Sequence, residues 1–108
     1  MNKLTTEEFV EVFESRFNCC SIGINLNTKY ANVVTCFESA TIAHFADNTI
    51  HFYEEAGETD YQFAIKLDDI RQIYMNDYEI NILPDDDFGG QFVFLCNDGT
   101  KIIIDGDK

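Results

Sequence analysis

Positive charge is scarce in this chain. Of 108 residues, seven are Lys or Arg and twenty are Asp or Glu, leaving a net charge of −13. Nucleic-acid phosphates are held by a basic stripe, and anionic membrane surfaces by clustered cations. Direct binding to nucleic acid or to a membrane is therefore disfavoured. Proline occurs once and glycine six times, which excludes collagen-like and low-complexity classes. The longest wholly apolar run is Phe92-Val93-Phe94-Leu95-Cys96, far short of the ~20 residues of a membrane span. The first ten residues, MNKLTTEEFV, hold no apolar h-region of a signal peptide. The chain is expected to be cytoplasmic, with Cys19, Cys20, Cys36 and Cys96 kept as thiols. No G-x-S-x-G, G-x-x-x-x-G-K-[ST], G-x-G-x-x-G or H-E-x-x-H occurs. No enzymatic activity and no cofactor are expected.

Apolar residues supply 45% of the chain and aromatics 14%, with ten Phe. That is too hydrophobic for a disordered acidic tail and sufficient for one core. Thr5-x-x-Glu8 is a capping box, in which each side chain satisfies a free backbone N–H at a helix start. Phe9, Val10, Phe13 and Phe17 then form one apolar stripe, with Glu7, Glu11 and Glu14 away from it. The spacing predicts a helix over 6–17. Beyond it, short extended runs are expected at 20–26, 30–37, 41–45, 50–54, 61–67, 71–75, 78–83, 91–96 and 101–105. Asp47-Asn48, Leu67-Asp68-Asp69-Ile70 and Asn97-Asp98-Gly99-Thr100 read as turns, and 84–90 as a loop. No helical pattern separates the strands, so the sheet should be antiparallel. The fold class is α+β. A single domain, 1–108, is expected, with an N-terminal helix (1–18) packed on a curved, mainly antiparallel sheet or small barrel of about seven strands (19–108).

A typical small domain carries a net charge of about 2–8 in magnitude, so −13 stands out. Acids cluster at Glu54, Glu55, Glu58 and Asp60, at Asp68 and Asp69, at Asp77 and Glu79, and at Asp85, Asp86 and Asp87. Most fall at expected turns or strand ends and should be exposed. Such a surface either keeps the protein dispersed or imitates phosphates in front of a cationic groove. Glu54, Glu55, Glu58, Asp60, Asp85, Asp86, Asp87 and Phe88 are the expected partner-binding residues. Phe88 joins them because an aromatic ring in an acidic glycine loop is costly to expose alone.

Metal and catalytic sites find little support. Asp85, Asp86 and Asp87 are consecutive and cannot all converge on one calcium ion, and the EF-hand spacing is missing. A two-residue loop at Asp47-Asn48 would pair His44 with His51 across two strands, whereas a three-residue loop would not. Tetrahedral ligand spacing is lacking in either case. Cys20 or Cys96 beside His44 would be the nucleophile pair to look for, but Cys96 sits in a strongly apolar run.

Short length, a charge of −13, acids such as Glu54-Glu55 and Asp85-Asp86-Asp87 in loops and no catalytic motif go together here. In these respects the chain resembles the small acidic inhibitors encoded by phages and mobile elements, of which anti-CRISPR proteins and other DNA mimics are the best-known group. The resemblance is one of class. It implies a protein that binds a basic nucleic-acid-handling protein, such as a CRISPR effector, and inhibits it by occupying its nucleic-acid groove. Residues 60–83, built around Leu67-Asp68-Asp69-Ile70, are also similar to elements of pleckstrin-like and Sm-like small barrels. That likeness implies instead a module for a protein or peptide partner. An exposed edge strand could in addition pair two copies into a homodimer.

Overall fold

The computed structural model describes residues 2–45, 47–54, 62–78 and 89–107. In chain order these form β1 (Asn2–Leu4), α1 (Thr6–Arg16), β2 (Cys20–Asn27), β3 (Asn32–Phe45), β4 (Thr49–Tyr53) and β5 (Gln62–Lys66). A single 3-10 turn over Leu67–Asp69 leads to β6 (Ile70–Tyr78), β7 (Gly89–Cys96) and β8 (Lys101–Asp107). The strands make one antiparallel sheet in the order β1-β6-β7-β8-β2-β3-β4-β5. β1 and β5 end it, and no ladder joins them among the described residues, so the sheet is curved but not closed.

The helix begins where the capping box places it. Thr5 Oγ1 accepts the Glu8 N–H at 3.2 Å, and Glu8 Oε1 accepts the Thr5 N–H at 3.0 Å. Phe9, Phe13 and Phe17 are all fully buried. Phe9 meets Phe92 and Phe94 of β7 edge-on, each with ring centroids 4.8 Å apart. Phe9 also meets Phe52 of β4, at 6.4 Å. β4 and β7 are far apart in strand order, so one helical residue can touch both only because the sheet curls around α1. Fully burying each such ring stabilises the fold by about 1.5–3 kcal/mol. Phe17 lies over a glycine floor made by Gly90 and Gly106, which are cross-strand partners. A Cβ at Gly90 would stand 2.7 Å from Phe17 Cζ, and one at Gly106 would be closer still to Phe17 Cδ1.

Several boundaries differ from the sequence reading. β1 is an additional strand, three residues laid on β6. The runs expected at 30–37 and 41–45 are one strand of 14 residues. It changes partner midway, pairing β2 with its first part and β4 with its last. Its register against β2 shifts by one residue between Cys20↔Ala40 and Ile22↔Phe37, a β-bulge at Glu38-Ser39. β6 runs unbroken to Tyr78, and Gly89 and Gly90 belong to β7 instead of a loop. Between β3 and β4 the register is Phe45↔Thr49 and His44↔Ile50. The loop therefore has three residues and ends on Asn48 in the left-handed region (φ 63°). His44 and His51 then fall on opposite faces, so the expected pairing does not form.

Candidate acidic interaction surface

Of the expected partner-binding residues, Glu55, Glu58, Asp60, Asp85, Asp86, Asp87 and Phe88 lie outside the described residues. Glu54 is described, and it is not a solvated loop acid. It follows the last residue of β4 and is only 9% exposed. Its Oε1 accepts the N–H groups of both Glu38 and Ser39, the latter at 3.1 Å. These are the bulge residues of β3, just past the point where the β3–β4 ladder stops. The bulge frees two donors that the ladder no longer satisfies, and the carboxylate takes both. The role of Glu54 is thus to hold the bend of β3.

Among the described residues, Asp68 and Asp69 are exposed at the 3-10 turn, as expected, and a further set of exposed acids lies on the helix. Glu7, Glu11 and Glu14 are exposed along α1, opposite its buried phenylalanines. An α-helical rise of about 1.5 Å per residue sets them roughly 6 Å and 4.5 Å apart along the axis. They border an open groove of about 500 Å³ together with Val10, Ser15 and His44. Because α1 is anchored by three fully buried rings, the row of carboxylates stands on a rigid support. The helical wheel already set these glutamates apart from the apolar stripe. A search for acids concentrated in loops passed over them.

A second concavity, of about 380 Å³, lies where the turn after β5 meets the β7–β8 hairpin. Leu26, Ile65, Ile70 and Ile102 give it an apolar floor, and Lys66, Asp69, Asp98 and Cys96 line its rim. Asp69 O accepts the Asn97 N–H at 2.9 Å, tying turn to hairpin. Asp98 Oδ1 accepts the Thr100 N–H at 2.9 Å. This bond and the Thr100 side chain hold the Asp98 carboxyl below its ordinary range. Burial, then the charges of Asp98 and Asp69, push the Cys96 thiol upward. A thiol shifted in that direction stays protonated at neutral pH and is a poor nucleophile. His44 borders the α1 groove and Cys96 this separate cavity, so the two are not presented to a common space. Among the described residues no group of three or more His, Cys, Asp or Glu is arranged to hold a metal ion. None of their helices is long and apolar enough to cross a membrane.

No protein-family model matches the chain, and comparison with curated proteins finds no match.

Proposed function

We propose that this chain is a non-enzymatic acidic binding protein that inhibits a nucleic-acid-handling enzyme, in the manner of an anti-CRISPR protein, by occupying its cationic groove. The observation that carries the reading is the placement of charge on the helix. Glu7, Glu11 and Glu14 stand in a row on an exposed face, within a molecule of net charge −13. A duplex strand presents a phosphate about every 3.4 Å along its axis. The glutamate row is wider than that, at about 4.5–6 Å along the helix axis, but it offers Lys and Arg a closely spaced line of anions on a rigid support. Glu55, Glu58, Asp60, Asp85, Asp86, Asp87 and Phe88, which lie outside the described residues, are proposed as further partner contacts. Attraction of this kind steers association over a Debye length of about 10 Å at 0.1 M salt.

The test is competition. Purified CRISPR effectors and other nucleic-acid enzymes are each loaded with a fluorescent duplex, and displacement by this protein is followed by anisotropy. Displacement from at least one enzyme is expected. It should weaken about tenfold or more for a Glu7→Gln, Glu11→Gln, Glu14→Gln variant, or for Asp85, Asp86 and Asp87 each changed to Asn, if each set faces several cations. Displacement that survives both sets of neutralisations unchanged would refute the reading, as would none from any basic enzyme tested.

A further inference from the structure

The first half of β3 has one edge that no described residue covers. β2 pairs with it through Asn27↔Asn32, Leu26↔Val33, Asn25↔Val34, Ile24↔Thr35 and Gly23↔Cys36. At the head of this hairpin the Thr28 N–H donates to the Ala31 carbonyl at 2.9 Å. Directly opposed residues in an antiparallel ladder alternate between pairs that exchange both bonds and pairs that exchange none. Ala31, Val33 and Thr35 therefore aim their backbone groups at β2. Asn32, Val34 and Cys36 aim theirs at the opposite edge. β4 pairs with β3 only between Thr41 and Phe45, and Glu54 occupies the N–H groups of Glu38 and Ser39. Between these limits the edge is open among the described residues.

The side chains along it are open as well. Tyr30, Val33 and Val34 are 89%, 53% and 64% exposed, the large hydrophobics most given to solvent among the described residues. Proteins normally blunt such an edge with a charge or a proline. Residues 30–37, Tyr-Ala-Asn-Val-Val-Thr-Cys-Phe, contain neither, although the chain as a whole carries −13.

We propose that the edge of β3 from Asn32 to Cys36 pairs antiparallel with the same edge of a second copy of this chain, about a two-fold axis at Val34. Val34 then faces Val34 of the second copy, and Asn32 faces Cys36, each pair exchanging both of its bonds. An axis at Val34 uses all three outward-pointing residues, Asn32, Val34 and Cys36, whereas an axis at Val33 or Thr35 would join only two of them to one another. Charge selects a second copy over a foreign strand. The uncharged stretch is flanked by Lys29 in the turn and by exposed Glu38 beyond it. Antiparallel pairing brings the Lys29 turn of each copy beside Glu38 of the other, so the complementarity occurs twice.

Sedimentation equilibrium across concentration and salt tests this. The mass is expected to rise from 12.4 kDa towards twice that value with concentration. The dimer should strengthen several-fold from about 0.05 to 0.5 M salt, because the copies repel one another overall. Val34→Pro removes a donor that β2 does not use, so the fold should persist while the dimer is lost. Lys29→Glu should weaken the dimer several-fold, and adding Glu38→Lys should restore it without any change to the backbone. Three results would overturn the proposal. One is a 12.4 kDa species at every concentration. Another is a dimer indifferent to Val34→Pro and to the charge swap. The third is slow exchange of the Val34 and Cys36 amides in dilute monomer, which would mean that the edge is already covered within one chain.

Discussion

Glu54→Ala tests the link between sequence and bend most sharply. The substitution removes the carboxylate whose Oε1 accepts both bonds and leaves two N–H groups, those of Glu38 and Ser39, without their acceptor. Both bonds are partly shielded from water. Hydrogen bonds to a charged group contribute about 1.5–3 kcal/mol each, and an unsatisfied buried donor costs about 1–3 kcal/mol. Water can reach part of the site once the side chain is gone, so the two losses will not add fully. We expect a destabilisation of about 2–3 kcal/mol, which for a domain of this size lowers Tm by roughly 8–15 °C. Glu54→Gln keeps an acceptor oxygen and loses the charge, and should cost about half as much, since charge-assisted bonds are about twice as strong as neutral ones. Urea unfolding followed by circular dichroism reads both values. An Ala variant within 0.5 kcal/mol of the parent, below the ~1 kcal/mol of an average single hydrogen bond, would refute the role assigned to this carboxylate. So would a Gln variant as damaged as the Ala variant.

Other residues offer independent checks. Gly106→Ala would drive a Cβ into the Phe17 ring and should destabilise by about 1–3 kcal/mol, and Phe17→Leu in the same chain should recover part of the loss. Asn25 Oδ1 is buried with no hydrogen-bond partner among the described residues, between Val34 and Ile103 on neighbouring strands. Asn25→Val should therefore leave stability unchanged or raise it by about 1 kcal/mol, seen as a Tm at or above that of the parent. The raised Cys96 thiol should react with Ellman's reagent more slowly at pH 8 than exposed Cys19 and Cys36, and catch up as pH rises. The same shift has a stability consequence. A folded pKa above the unfolded one favours the native state at low pH, and this contribution is lost as pH rises through the folded value. Asp98 works the other way, contributing above its unfolded pKa and losing that contribution as pH falls through its lowered folded value.

The helix was legible because its signals are local. Thr5 and Glu8 cap it, and Phe9, Phe13 and Phe17 recur on one face. The hairpin at Asp98-Gly99 was legible for the same reason, and Gly99 does take a positive φ of 91°. Features set by distant partners were not. β1 exists because β6 offers it an edge, and Asn2-Lys3-Leu4 alone has no period to read. The break expected near residue 38 is a bulge inside one strand, since a polar pair such as Glu38-Ser39 looks like a turn until Glu54 is seen to satisfy it. Gly90 and Gly106 are far apart in sequence, and only strand pairing makes them a floor for Phe17. The acidic site was half legible. Counting charge along the chain led to turns and loops, where Asp68 and Asp69 are indeed exposed, but not to Glu7, Glu11 and Glu14, which stand in a row along α1.

The most direct test of a charge-driven surface is the salt dependence of inhibition, measured on a displaced enzyme for the parent and for the Glu7, Glu11 and Glu14 to Gln variant. The logarithm of affinity is plotted against the logarithm of salt concentration. If these carboxylates replace phosphates, the parent line falls steeply with salt and the variant line is shallower. Parallel lines, or a parent affinity that does not change with salt, would contradict the claim that the acids recognise a cationic groove.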